Sequence, residues 1–248
     1  MAASSSESQF DDLGAAYESA DEWPFREEIE FPSVLHALGN LTRCSVLDYG
    51  CGSGLYARLL KSRGAARVVG YDQATGMLRH ARKLEEERPQ GIEYTSELSA
   101  SLRDPFDLVV GVYVLPYATT RTALEAMCKE MASVLRPGGR LMTPCLNPDY
   151  DPSVGYYRPY GFCLVADEPH VDGAPVRLDL FHSSAEASVT ACYWSRASME
   201  RALEAAGFTS VKWKAVWPPS FSRIEEAPPW MEAYLRKPHA ILLDCQLG

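Results

Sequence analysis

The residues whose types and spacing could do chemistry gather early in the chain. In "SVLDYGCGSGLY", residues 45–56, an apolar run reaches Asp48 and then places Gly50, Gly52 and Gly54 at alternate positions. Glycine loses more conformational freedom on ordering than any other residue, so three this close imply positive φ or a close approach of main chain to a ligand. A second acid, Asp72, ends the apolar run "RVVGYD". In an open α/β sheet, ligands lie beyond the carboxyl ends of the strands, and an acid closing the second strand can accept hydrogen bonds from both hydroxyls of a ribose.

Two classes of nucleoside cofactor compete for such a corner. Dinucleotide proteins use G-x-G-x-x-G and seat a pyrophosphate on a helix N-terminus. Here the pattern is D-x-G-x-G-x-G with no basic residue in the loop. It suits a cationic, phosphate-free nucleoside such as S-adenosylmethionine.

The elements that must hold this corner follow an alternating rhythm. "CSVLDYG" reads as a strand and "LYARLLKSRGA" as a helix. "RVVGYD" is a second strand, followed by a helix over about 74–88 that Pro89 stops. "GIEYTS" is a third strand, and "DPFDLVVGVYVL" is an unbroken apolar run of the kind buried on both faces of a parallel sheet. Helix "RTALEAMCKEMASVL" and strand "RLMTPCL" complete the pattern, which predicts a doubly wound, Rossmann-like α/β sheet with right-handed crossovers. The alternation stops between residues 148 and 194, where "YGFCLVA", "PVRLDLFHS" and "ASVTACYW" predict a small antiparallel β insert. Helix "SRASMERALEAAGF", capped by Ser195 and stopped at Gly207, and strands "SVKWKAVW" and "AILLDCQL" end the chain. The organisation expected is a disordered tail over 1–9, a helical lid over 10–40, a core over 41–147, a substrate-covering insert over 148–194, and completion of the core over 195–248.

Composition narrows the partners. The chain has 248 residues, with 33 acidic against 24 basic side chains and a net charge of −9. That balance argues against nucleic acid or an anionic membrane and leaves a small molecule as the expected partner. Seven cysteines show no C-x-x-C spacing, so neither a zinc site nor any other metal is expected, and they read as small buried hydrophobes. The Ser-rich, acidic start has no basic region followed by an apolar core, so a cytoplasmic protein is expected, as a monomer or homodimer.

"VLDYGCGSGLYARLLKSRGAARVVGYD", "FDLVVGVYVLPYA" and "LRPGGRL" resemble successive motifs of class I S-adenosylmethionine-dependent methyltransferases. "FDDLGAAYE", "NPDY", "RALEAAGF" and "WMEAYLRKPHAILLDC" extend the resemblance toward the toxoflavin-synthase-like small-molecule methyltransferases. It implies a seven-stranded, mostly parallel sheet whose last strand is antiparallel. It also implies that Asp48, Gly50, Cys51, Gly52 and Gly54 cradle the methionine and ribose portions of S-adenosylmethionine. Asp72 would hold the ribose, Gln73 and Met77 would flank the adenine, and Leu98 and Ser99 would lie by its amine. Tyr113, at the end of the fourth strand, would face the methionyl group, and Tyr17 would close over it.

Methyl transfer from a sulfonium needs alignment and exclusion of water more than covalent help. No nucleophilic triad is expected, and none is found. The expected function is in-line SN2 transfer to N or O of a small heteroaromatic acceptor of specialised metabolism, with S-adenosylhomocysteine as product. The alternatives are cyclisation of the cofactor to azetidine-2-carboxylate with release of methylthioadenosine, and non-catalytic binding of the nucleoside. The aromatic density of the insert suits a planar or cationic group. Substrate contacts are therefore expected from Trp23, Asn147, Tyr160, Tyr193 and Trp194, with Tyr113, Asn147 and Tyr193 as catalytic candidates. His170 and His182 are candidate bases, whereas His239 reads as structural.

Overall fold

The structure, a computed structural model, describes residues 23–98, 104–181 and 187–248. Seven strands form one sheet in the order β3-β2-β1-β4-β5-β10-β9. They are β1 (Ser45–Tyr49), β2 (Arg67–Tyr71), β3 (Glu93–Thr95), β4 (Phe106–Val110), β5 (Leu135–Leu146), β9 (Phe208–Ala215) and β10 (Ala240–Leu247). All neighbours run parallel except at β10, which is antiparallel to both β5 and β9. The expected seven-stranded sheet with its last strand reversed is what forms. Strand order turns back between β1 and β4. Asp48 sits at that point, opposite Gly70 on β2 and Val110 on β4.

Alternation along the central strands divides the core in two. Val46, Val68, Leu108 and Met142 face one side and pack with Val34 and Leu38 of α1 (Phe31–Leu38) and Leu60 of α2 (Leu55–Ser62). Leu47, Val69, Val109 and Leu141 face the other, against Leu124, Cys128 and Met131 of α4 (Arg121–Ser133) and Leu203 of α5 (Arg196–Ala205). The helix α3 (Thr75–Glu87) buries Met77, Leu78 and Ala81. The caps are local: Thr120 accepts from the Ala123 amide and Ser195 from that of Ser198. Ahead of α1 the chain makes a wide π turn over Arg26–Glu30, just before Pro32, which lacks an amide donor and crowds the preceding turn.

One strand is shorter than the sequence suggests. The run "FDLVVGVYVL" stops being strand at Val110, and a 3-10 turn forms at Leu115–Tyr117. Tyr113 therefore lies past the strand end, with φ of 55°.

The insert is a three-stranded antiparallel sheet of order β6-β7-β8: β6 (Phe162–Val165), β7 (Pro175–Leu180) and β8 (Ala187–Cys192). A short helix, α6 (Pro229–Arg236), fills the proline-rich stretch before β10. No helix among the described residues is long and apolar enough to cross a membrane.

Candidate functional site

A cavity of about 330 Å³ opens at the carboxyl end of β1, where strand order reverses. The main sheet's glycine loop lines one end of it and the small sheet covers the other.

The loop is held from below, since the amides of Gly50 and Cys51 both donate to the Tyr71 carbonyl, at 2.7 and 2.9 Å. Its three glycines all have positive φ, but they answer to different neighbours. A Cβ on Gly50 would sit 2.5 Å from Val114 Cγ1, and one on Gly54 would enter the ring of Tyr94. Those two are small because the protein's own side chains occupy the space. Gly52 alone, with φ of 54°, has nothing within 4 Å of a Cβ, and the open space there belongs to the cavity. Backbone exposure to a ligand is thus concentrated at Gly52.

The amide of Gly52 donates to Asp72 Oδ2 at 2.7 Å, and the Ala74 amide donates to Asp72 Oδ1 at 2.8 Å. One carboxylate therefore sets the loop and starts α3, while still lining the cavity. A carboxylate oxygen can accept more than one hydrogen bond, so this acid suits a ribose hydroxyl. Gln73 donates to the Tyr71 hydroxyl at 3.1 Å, and Met77 is buried at the same end of the cavity.

Asp48 is the most perturbed acid of the site. It is 1% exposed, and its Oδ2 is buried with no hydrogen-bond partner among the described residues. Burial, with the Asp72 charge beside it, pushes its carboxyl up to about 7, against the pull of the Ala57 amide and Arg58. An orphaned acidic oxygen in a cavity wall fits a cationic ammonium such as that of the methionyl group. The cradle fits the nucleoside on two counts: the open Cβ space at Gly52 and the unpartnered oxygen of Asp48. The Cys51 thiol is buried and pushed well above its ordinary range, so it is an inert filler.

A second group of polar residues also lines the cavity. Tyr113 donates to Glu30 Oε2 at 2.7 Å, and Tyr56 donates to Glu30 Oε1 at 3.1 Å. Arg26 Nε lies 3.4 Å from the same Oε1. Glu30 and Arg26 are both buried, and the π turn puts them on one face. His239, just ahead of β10, stacks 5.7 Å from Tyr113, and its Nδ1 is 2.9 Å from the Tyr234 hydroxyl. Burial, with Arg26 nearby, pushes its imidazole down to about 3, so it is neutral at ordinary pH. All five of Arg26, Glu30, Tyr56, Tyr113 and His239 line the cavity. The sequence reading had picked only Tyr113 among them. A signal did exist: Arg26 and Glu30 are opposite charges four apart in a segment that also carries Phe25, Ile29 and Phe31.

The sequence-predicted residues divide accordingly. Asp48, Gly50, Cys51, Gly52, Asp72, Gln73, Met77, Tyr113 and Trp23 all line the cavity. Gly54 lies just behind it, against Tyr94. Asn147 does not reach it, because its amide donates to the Pro238 carbonyl at 2.8 Å and accepts from the Asp149 amide at 3.1 Å. Tyr193 donates to the Pro148 carbonyl, Trp194 to that of Ala118, and the Tyr160 hydroxyl takes the Tyr234 amide. These three aromatics brace the insert away from the cavity. Leu98 packs against the second core. Tyr17, Ser99 and His182 lie outside the described residues. His170 Nε2 meets the Tyr150 carbonyl at 3.1 Å, also away from the cavity.

Comparison with known proteins agrees with this geometry. The sequence model of a methyltransferase-domain family matches residues 46–139. A ubiquinone biosynthesis O-methyltransferase of Dinoroseobacter shibae is 35% identical over 105 residues, 41% of this chain and 41% of that protein. A ribosomal protein L11 methyltransferase of Xanthomonas campestris is 32% identical over 132 residues, 52% of this chain and 41% of its own. Each match thus spans about two-fifths of the curated relative. Among solved structures, the CcbJ methyltransferase from Streptomyces caelestis superposes with a TM-score of 0.68 at 16% identity, covering 97% of this chain and 98% of that one. An S-adenosylmethionine-dependent methyltransferase from Clostridium acetobutylicum gives 0.65 at 13% identity, covering 94% and 99%. These two show the shared fold over nearly the whole chain. The matched segment, residues 46–139, is thus similar to a methyltransferase domain, and it contains the glycine loop and the acid after β2 that line the cavity.

Proposed function

We propose that this protein transfers the methyl group of S-adenosylmethionine in line to an oxygen or nitrogen of a small acceptor held beneath the three-stranded sheet. The observation that carries the reading is a single cavity lined at one end by Asp48, Gly52 and Asp72 and at the other by the inner face of the insert. When bound, S-adenosylmethionine supplies a methyl group already activated on a positively charged sulfur. What remains for the protein is alignment and dryness.

Asp72 would hold the ribose hydroxyls and Asp48 Oδ2 the methionyl ammonium, which fixes the reacting end of the nucleoside toward Tyr113. The Tyr113 hydrogen is committed to Glu30 Oε2, so its oxygen presents lone pairs to the cavity. It can orient a donor, and it cannot itself be the proton source. His239, held neutral by burial, stacks beside Tyr113 and helps to shape this end of the wall. The apolar side chains that the insert adds to the cofactor corner support bimolecular transfer over mere holding of the nucleoside.

Isothermal titration with S-adenosylmethionine and S-adenosylhomocysteine tests the first half of the reading, and both are expected to bind. Incubation with methyl-labelled S-adenosylmethionine and a panel of small alcohols, phenols and amines tests the second. Label moving to an acceptor, with S-adenosylhomocysteine formed, is the expected result. Methylthioadenosine formed without any acceptor would replace transfer with cyclisation, and no binding of either nucleoside would end both.

A further inference from the structure

We infer that the acceptor is an uncharged molecule with an aliphatic body, offering one hydroxyl or amine N–H at the Tyr113–Glu30 end of the cavity. The inference rests on the methyl-transfer reading above and deepens it, replacing the heteroaromatic acceptor suggested by the aromatic content of the insert.

Strand register builds the argument. Residues directly opposite one another in an antiparallel sheet point to the same face. One row is Phe162, Leu180 and Ala187; the next is Leu164, Leu178 and Val189; the third pairs Val176 with Ala191. Every one of these side chains is apolar, seven of the eight are not aromatic, and all line the cavity. The intervening rows, Cys163 with Asp179 and Ser188 and Val165 with Arg177 and Thr190, carry the polar side chains and face away. On that outer face Arg177 and Ser188 both bond to Asp179. A two-residue period in polarity thus hangs an unbroken aliphatic ceiling over the cofactor corner.

The single aromatic of the ceiling is not a spare stacking surface. Phe162 stacks on Tyr157 at 5.3 Å and 5°, and meets Trp23 edge-on at 5.6 Å. A planar heterocycle would find no open ring to lie against in the ceiling.

Charge excludes ionic acceptors. The acids on the cavity wall are Glu30, Asp48 and Asp72, against Arg26 as the base. An anion would therefore meet a net negative wall. A cation would need the Glu30 carboxylate, which already holds Arg26 and two phenol hydrogens. With both phenol hydrogens spent, the oxygens at this end accept and do not donate. They select a ligand that brings its own N–H or O–H, which is also the nucleophile that methyl transfer requires.

The test titrates protein saturated with S-adenosylhomocysteine with unbranched primary alcohols from butanol to octanol, alongside the matching alkanoates and alkylammonium ions, by calorimetry. Burial of a methylene contributes about 0.8 kcal/mol, so affinity for the alcohols should rise about fourfold per carbon, and the charged series should bind at least about tenfold more weakly. Leu178→Asp puts a charge in the ceiling at a half-buried position; it should abolish alcohol binding and leave S-adenosylhomocysteine affinity within about twofold. Leu178→Ala, which keeps the face apolar, should weaken octanol severalfold and covers the case in which the aspartate variant does not fold. A flat alcohol series, tighter binding of either charged series, or unchanged alcohol affinity in Leu178→Ala would overturn the inference. Failure to bind S-adenosylhomocysteine at the outset would instead strike the methyl-transfer reading.

Discussion

Replacing Asp48 by asparagine should raise stability and lower cofactor affinity at once, and the two effects have opposite dependence on pH. Burial and the neighbouring Asp72 move the Asp48 carboxyl from its ordinary 3.8 to about 7. A shift of about three units at 1.36 kcal/mol each makes the ionised form roughly 4 kcal/mol less favourable in the folded chain than in the unfolded one. Because the folded value is the higher one, the folded chain keeps a proton that the unfolded chain has already lost. Stability contributed at this position is therefore full below pH 3.8, falls as pH climbs toward 7, and is level above. Asparagine can still accept from the Ala57 amide, but its NH2 group inherits the place of an oxygen that has no partner among the described residues. An unsatisfied buried group costs about 1–3 kcal/mol, which leaves the variant about 1–3 kcal/mol more stable at pH 8. Near pH 4.5 the advantage should vanish.

Urea denaturation of both proteins at pH 4.5 and 8 reads the first effect. Calorimetric titration with S-adenosylhomocysteine across the same range reads the second. The wild-type protein must shed the Asp48 proton to meet an ammonium, so its affinity should fall roughly tenfold per pH unit below 7. The variant should bind more weakly at pH 8 and show a flat profile. Identical pH slopes of stability in the two proteins would refute the burial argument. Equal affinity at pH 8 would refute the role given to the orphaned oxygen.

Two further substitutions separate ligand space from packing. Gly52→Ala keeps a positive φ at a strain of about 1–2 kcal/mol and sends its methyl into the cavity, so S-adenosylhomocysteine affinity should drop by about tenfold or more with a modest loss of stability. Gly54→Ala drives its methyl into Tyr94 and should lose about 2–5 kcal/mol in denaturant unfolding, and an equal loss in the two variants would show that the loop has no ligand-facing position. Glu30→Gln removes the buried charge that meets Arg26 Nε and two phenol hydrogens; unfolding should show a loss of about 3–5 kcal/mol, and a change under about 1 kcal/mol would mean that the charge at Glu30 is not desolvated.

How much of this was legible in the sequence depends on how local each feature is. That Asp48, Gly52 and Asp72 share one corner of the cavity was legible because a strand end and its following turn fix side chains within a few residues of one another. The small sheet was legible for the same reason, since "PVRLDL" alternates on its face. Asn147 was placed correctly at the carboxyl edge of β5, but its amide answers to Pro238, 91 positions along the chain. Tyr160, Tyr193 and Trp194 were chosen for ring chemistry, yet each polar tip met a backbone group that burial obliged it to satisfy. His239 looked structural beside β10, and the antiparallel pairing that sets Ala240 opposite Leu146 at the end of β5 brings its ring to Tyr113. Pattern reading sees neighbours along the chain. It does not see which distant carbonyl a side chain will find.

The two halves of the cavity are thereby built on different terms. The cradle comes from consecutive turns of one sheet, where Asp72 fixes loop and helix together, so a change in any part disturbs the rest. The ceiling comes from a separate sheet whose alternate rows contribute two or three apolar side chains each and whose strands pair with one another, not with the main sheet, among the described residues. A substitution there alters volume and polarity above the cofactor corner without touching the ladder of the main sheet. The polar end, Glu30 with its phenols and Arg26, is the opposite case. Both phenol hydrogens are allotted to Glu30, so exchanging that acid leaves buried hydroxyls to be satisfied anew. On the proposed reading, acceptor size and shape would be free to vary at the ceiling, while a demand for a hydrogen-bond donor at Tyr113 would be tied to the stability of the fold.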